Sequence, residues 1–255
     1  MNYNLNDICE KLEKNGYCLI DKFWDKKLDL EIENFFNHNI KPLEKKTKID
    51  GYGNRCFSIA DNEIENNPFN KIKESKEFKN IYKKILTYNN IEINDDLDIH
   101  NVISYQKNEK NLNQNLSSKL HFDAFYLTMI ITIKKSVNDL KGSTGSLILY
   151  PNIRKKSSNS INNYLIKIMF QNLFSRWILN LSFFKKKLKA TTISGHDNKV
   201  LLFYGYRSLH GNEALKNSNL KVNAIFHVFN PHKKSKLDNF IFNRNKKIRN
   251  NKLNY

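Results

Sequence analysis

The sequence predicts a mainly β protein with added helices: an antiparallel barrel or jelly roll, a helical N-terminal buttress and an inserted amphipathic helix. Two observations carry this expectation. Helical periodicity dominates up to about residue 96. From residue 97, short runs rich in Ile, Leu, Val, Phe and Tyr are separated by polar or Gly-containing turns. No βαβ alternation is present, which disfavours a parallel Rossmann sheet. With 255 residues, 40% of them hydrophobic, the chain can bury one sizeable core. Residues 1–235 therefore read as a single domain, helical over 1–96 and strand-rich over 97–235, with a basic tail over 236–255.

Residues 5–15 form the first expected helix. Leu5, Ile8 and Leu12 share a face, Asn6 or Asp7 can cap it, and Gly16 stops it. YCLIDKF follows as a short strand-like run. A second helix is expected over 26–37 and a third over 71–88, where Ile72, Phe78, Ile81, Ile85 and Leu86 tend to one side. The later strands are LDIHNVISYQ, YLTMIITIKK, GSLILY, KATTIS, KVLLFYG and LKVNAIFHVF. One segment interrupts them. Within 160–185, Ile166, Phe170, Leu173, Phe174, Trp177, Leu181 and Phe184 recur on one helical face. Ser157, Ser158 or Ser160 can cap this helix, and Lys185–Lys187 suit the C-terminal end of its dipole. Its apolar face either covers one end of the sheet as a lid or lies on anionic lipid as an anchor.

The charge is concentrated. Of a net +18, residues 154–190 supply nine with no acidic residue, and residues 236–255 supply a net five. This points to an anionic partner, and Arg154, Lys155, Lys156, Trp177, Lys185, Lys186 and Lys187 are the candidate contacts with a membrane surface or other anion. Only six of the 43 basic residues are Arg, and no nucleic-acid-binding motif is visible, so no specific nucleic acid is expected. Three scattered cysteines with no C-x-x-C exclude a disulfide scaffold and a zinc ribbon. Without a signal-peptide pattern or a long apolar run, the expected location is cytoplasmic, peripheral at the membrane if the insert is an anchor.

The chemistry begins at Leu120-His121-Phe122-Asp123. On a strand, positions i and i+2 share a face, so His121 and Asp123 can present an imidazole and a carboxylate to one metal. His210 lies 87 residues after Asp123, beyond the run KVLLFYG, and completes two His and one carboxylate. That facial set leaves metal positions open and suits non-haem Fe(II) oxygenases. Lys221 starts the run KVNAIFHVF, where Lys221, Asn223, His227 and Phe229 alternate onto one face; a cation there could hold the far carboxylate of an acidic cosubstrate.

These pieces resemble an Fe(II)- and 2-oxoglutarate-dependent dioxygenase, most similar to the phytanoyl-CoA dioxygenase-like branch. LEKNGYCLIDKFW, LHFDAFYLTMIITIKK, NDLKGSTGSLILYPN and KVLLFYGYRSLHGNEAL followed by LKVNAIFHVF carry the resemblance, across about residues 5–230, with 154–190 standing out as an insert. It implies a double-stranded β-helix, with His121, Asp123 and His210 as iron ligands. It further implies that O2 and 2-oxoglutarate are consumed, yielding succinate and CO2 as a substrate C–H bond is hydroxylated. Lys221 stands where the family has a 2-oxoglutarate-binding Arg, with Tyr105 as a helper and Arg207 as a substitute. The altered segment Tyr150–Arg154 points to a changed substrate pocket and, with the basic insert, to an anionic, amphiphilic or lipid-linked small molecule. Two alternatives are a cupin-like metal enzyme without 2-oxoglutarate and a non-enzymatic jelly roll that docks to membrane. His38, His100, His196, His227 and His232 are expected to be structural or surface groups.

Overall fold

The computed structural model describes residues 3–47, 54–60, 66–93, 97–108, 120–136, 145–155, 159–194, 198–213, 215, 219–233, 235–236 and 240. Helix α1 (Leu5–Asn15) has the expected length, but Asn4 caps it, its side chain accepting from the Asn6 and Asp7 amides. Gly16, at φ 78°, ends it in the left-handed conformation that Gly adopts without strain. Strand β1 (Tyr17–Asp21) follows, then α2 (Lys26–Phe35), which runs through a π-helical turn, Phe36–Ile40, into α3 (Lys41–Lys46). The third expected helix is two: α4 (Phe69–Glu74) and α5 (Lys76–Tyr88). The break falls at Ser75, whose extended backbone lets its hydroxyl accept from the Phe78 amide.

The remaining strands are β2 (Asn54–Ala60), β3 (Ile99–Asn108), β4 (Leu127–Ser136), β5 (Leu147–Tyr150), β6 (Thr191–Ile193), β7 (Lys199–Phe203), β8 (Leu209–Asn212) and β9 (Leu220–Val228). Strand β2 was not expected, because NRCFSIA sits in a helical context. Six strands form one antiparallel sheet in the order β1-β7-β4-β9-β3-β2, and three form a second, β6-β5-β8. The inner faces meet where Ile130, Leu201 and Phe203 pack with Leu147, Leu149 and Ile193. On the outer face of the large sheet, Leu127, Met129, Leu202, Val222, Ala224 and Phe226 join a core with residues of α1, α2, α4 and α5. Phe226 is fully buried beside Phe69 and Phe78, with ring centroids 6.3 and 5.3 Å away. This alternation turns Lys221, Asn223, Ile225 and His227 of β9 to the inner face. Phe229 does not join them: it lies beyond the strand at φ 60° and packs on the outer core.

The insert is three helices rather than one: α6 (Ser160–Gln171), α7 (Leu173–Asn180) and α8 (Ser182–Lys187). Asn159 caps α6 by accepting from the Ile161 amide at 2.8 Å, while Ser157 and Ser158 lie outside the described residues. Asn172 is extended and accepts from the Ser175 amide at 2.9 Å, restarting the helix; Leu181 is extended too and breaks it again. Ile166, Phe170 and Leu179 of the insert pack with Phe122, Tyr150 and Leu209 on the small sheet. No helix among the described residues is long and apolar enough to cross a membrane.

Candidate metal centre

His121 and His210 are paired through the backbone. The His121 amide donates to the His210 carbonyl at 2.8 Å and the reverse bond is 2.9 Å, so the segment carrying His121 and Asp123 is zipped onto β8. Alternation then sorts the side chains: Leu120 and Phe122 go to the apolar layer under the insert, and His121 and Asp123 go the other way. The two imidazoles stand 4.4 Å apart between centroids. His121, Asp123 and His210 each offer one ligand atom, all within 4.8 Å of one another.

The chemistry of this donor set fits a metal cation. Nδ1 of His210 lies 3.0 Å from the Ser208 carbonyl, which can only accept, so Nδ1 carries the hydrogen. That leaves Nε2 facing Asp123 Oδ1 at 3.4 Å, and His121 Nε2 lies 3.5 Å from the same oxygen. A carboxylate oxygen and ring nitrogens converging so closely need a proton or a cation between them, and two imidazoles with one carboxylate can hold a divalent metal.

Asp123 is held from behind. Its amide donates to the Gly205 carbonyl at 3.0 Å, and its Oδ2 accepts from the Thr128 hydroxyl at 2.5 Å. Burial opposes its charge, but the imidazoles of His210, His227 and His121 outweigh that and hold its carboxyl well below the usual carboxylate range. His227, whose Nδ1 lies 3.7 Å from Oδ2, stacks on Phe125; burial outweighs the nearby carboxylate and lowers its pKa. Its role is to back the carboxylate, in keeping with a structural histidine. Gly205 completes the support: a Cβ there would lie 2.2 Å from both Asp123 Oδ2 and Thr128 Oγ1.

Lys221 lies on the inner face of the large sheet, towards the start of β9, six residues before His227. It is 3% exposed, and its ammonium donates to the Gly145 carbonyl at 2.6 Å and to Asn212 Oδ1 at 3.4 Å. Asn212 sits two residues after His210 on β8, hence on the same face. Thr132 and Asn223 are paired across β4 and β9; Thr132 Oγ1 and Asn223 Oδ1 are buried with no hydrogen-bond partner among the described residues. The His121–Asp123–His210 cluster and a buried ammonium thus both face the space between the two sheets, where Ile130, Leu147 and Leu149 pack and orphaned polar atoms lie beside the ammonium.

The other expected cosubstrate residues are not gathered there. Tyr105 pairs with Val222, not Lys221, and so points to the outer face, where it stacks on Phe57 and donates to Glu44 Oε2 at 2.5 Å. The residue opposite Lys221 on β3 is Gln106. Arg207 turns to α1, donating to both oxygens of Glu13 at 2.6 and 3.1 Å with its guanidinium over the Tyr204 ring. Arg207→Met is therefore expected to leave cosubstrate affinity unchanged and to lower stability by about 1 kcal/mol, or roughly 2–4 °C in a thermal melt. A large loss of cosubstrate affinity with an unshifted melt would return Arg207 to the site.

Arg154 is no surface contact. It is 8% exposed, lies between the rings of Phe122 and Tyr206 at 4.1 and 3.9 Å, and donates to the Tyr206 carbonyl and to Asn163 Oδ1 of α6. Burial pushes its guanidinium down to about 10, still charged at neutral pH. It clasps α6 to the segment that carries His121 and Asp123. Lys155, Trp177, Lys186 and Lys187 are exposed, Lys185 is half-buried, and Lys156 lies outside the described residues. Sequence reasoning missed Thr128 and Gly205. The former looks like any polar position in an alternating strand, and the latter like any turn glycine.

No known protein family matches the sequence, and no curated protein matches it. Solved structures do. A prolyl hydroxylase from Trichoplax adhaerens, in complex with a hypoxia inducible factor peptide fragment, aligns over 91% of this chain and 92% of its own at 13% identity and TM-score 0.52. The epimerase SnoN, in complex with Fe3+, alpha ketoglutarate and nogalamycin RO, aligns over 88% and 83% at 12% identity and TM-score 0.53. EctD from S. alaskensis aligns over 86% and 75% at 10% identity and TM-score 0.53. The chain has the fold of Fe(II)/2-oxoglutarate oxygenases. At such identities the likeness is one of fold.

Proposed function

We propose that this chain is an Fe(II)- and 2-oxoglutarate-dependent oxygenase of the phytanoyl-CoA dioxygenase-like branch. Its reaction is hydroxylation of an anionic or amphiphilic small-molecule or lipid-linked substrate. The observation that carries the reading is the placement of Lys221: a buried ammonium on the inner face of the large sheet, within reach of Asn212 on the strand that carries His210, beside orphaned polar atoms of Thr132 and Asn223. That is the polarity a dicarboxylate needs.

In this reading His121, Asp123 and His210 would hold the metal, a donor set of two imidazoles and one carboxylate that suits Fe(II). Lys221 takes the distal carboxylate of 2-oxoglutarate, and the Thr132 hydroxyl donates to the same group. Bound iron and keto acid together supply the O2-activating chemistry; the protein positions and shields it. The Ser208 carbonyl keeps His210 in the tautomer that offers Nε2, and Thr128 fixes the carboxylate rotamer of Asp123. Phe203, 4.8 Å from the His210 ring, and the Ile130–Leu149 layer exclude water on the inner side. Substrate enters beside His121, whose side chain is half exposed.

An anaerobic visible spectrum tests the reading. A charge-transfer band that needs both Fe(II) and 2-oxoglutarate, and that is absent from His210→Ala, is expected. Tight iron binding without a band would instead indicate a metal enzyme that uses no keto acid. Failure to bind iron at all would remove the enzymatic reading.

A further inference from the structure

The insert has an apolar side that the protein does not use. Of the twelve large apolar side chains standing exposed among the described residues, nine fall between Ile161 and Phe183. Phe174 is 69% exposed, Trp177 62% and Phe183 66%, with Leu165 and Met169 also above half. Isolated exposed hydrophobes are ordinary, but nine within one run of 23 residues are not. The same helices already bury Ile166, Phe170 and Leu179 against the small sheet. They are therefore apolar on two sides, and a water-facing helix with no partner is polar on its outer side.

Charge decides what covers that outer side. Residues 154–190 hold nine basic residues and no acid; Arg154 is buried, but Lys155, Lys186, Lys187 and Lys189 stand exposed, Lys186 and Lys187 at the end of α8 next to Phe183. A second copy of the chain meeting this face through a twofold axis would oppose two uniformly positive surfaces. An anionic bilayer offers what the face lacks: an apolar layer for the rings and negative headgroups for the lysines. Lys-rather-than-Arg basicity suits a diffuse headgroup field better than bidentate recognition of one phosphate.

We propose that α6–α8 form an interfacial docking surface for anionic lipid membranes. The Arg154 clasp, through Asn163 on α6 and the rings of Phe122 and Tyr206, ties that surface to the segment carrying His121 and Asp123, so docking also sets the orientation of the site.

The test is sedimentation of the full chain with phosphatidylcholine vesicles, with and without phosphatidylserine. Binding is expected only with phosphatidylserine. Near an anionic surface each Lys contributes roughly fivefold, so Lys185, Lys186 and Lys187 changed together to Gln should weaken binding about 100-fold. Phe174→Ser with Trp177→Ser and Phe183→Ser should abolish it. Phe174, Trp177 and Phe183 are largely exposed, so the aromatic variant keeps the wild-type melting temperature. Of the two tryptophans, Trp177 should shift to shorter emission wavelength with vesicles and Trp24 should not, read by comparing Trp177→Phe with Trp24→Phe. Wild-type vesicle binding in the aromatic variant overturns the proposal. So does a wild-type dimer that ignores vesicles and becomes monomeric in that variant, which would make a second copy the occupant.

Discussion

Gly205→Ala is expected to weaken Fe(II) binding about 10–100-fold, the range typical of losing the groups that orient a metal ligand. The added Cβ would sit 2.2 Å from Asp123 Oδ2 and from Thr128 Oγ1, and 3.0 Å from Asp123 Cβ. Both side chains are short and buried, so neither has a free end that can swing aside. Asp123 must rotate, and Oδ1 then leaves the point where it faces the two imidazoles. Overpacking at such a position typically adds a destabilisation of about 1–3 kcal/mol. Thr128→Val separates the two effects: it preserves volume and removes the hydrogen bond to Oδ2, so it should lose metal affinity without the steric strain. Calorimetric titration with Fe(II) under anaerobic conditions measures both variants beside a thermal melt. A Gly205→Ala protein that binds iron like the wild type would show that Asp123 is not held by this contact.

Lys221→Met should leave Fe(II) affinity intact and lower 2-oxoglutarate affinity by about 30-fold or more, since removing one partner of a buried charge pair typically costs about 2–5 kcal/mol. The lysine is 3% exposed, so its charge is little screened by solvent. Its ammonium donates to the Gly145 carbonyl and to Asn212 Oδ1. Lys221→Arg keeps the charge and should bind the keto acid within about tenfold of wild type, whereas Tyr105→Phe should change nothing at the site. Unchanged keto-acid affinity in Lys221→Met, measured by the charge-transfer titration, would detach the lysine from the cosubstrate and with it the 2-oxoglutarate part of the proposed function.

The His121, Asp123 and His210 cluster was legible before any coordinates because spacing carries it: i, i+2 alternation puts His121 and Asp123 on one face, and His210 follows an apolar run that reads as a core strand. The helix α1 was legible to the residue for a similar reason, since a periodic apolar face ends at a glycine. Lys221 was legible as a cation at the head of an alternating strand. Other features were not. Arg154 stood first in a run of basic residues and looked solvated, yet two aromatic rings and Asn163 bury it. Tyr105 was the right residue type one register position away from the right face. The single inserted helix failed at Asn172 and Leu181, where apolar periodicity continues while the backbone turns extended.

By itself, the sequence determined what is local: most of the strands, most of the side chains that alternate together, where charge accumulates, and which three residues could hold a metal. Only the tertiary structure decided what depends on register and close approach. It set Tyr105 and Lys221 on opposite faces, gave Arg207 to Glu13, pressed Gly205 against Asp123, and left one side of α6–α8 bare. The physical reason is that periodicity encodes the face of a single element, whereas partnership across elements follows from strand pairing and packing between residues far apart in the chain.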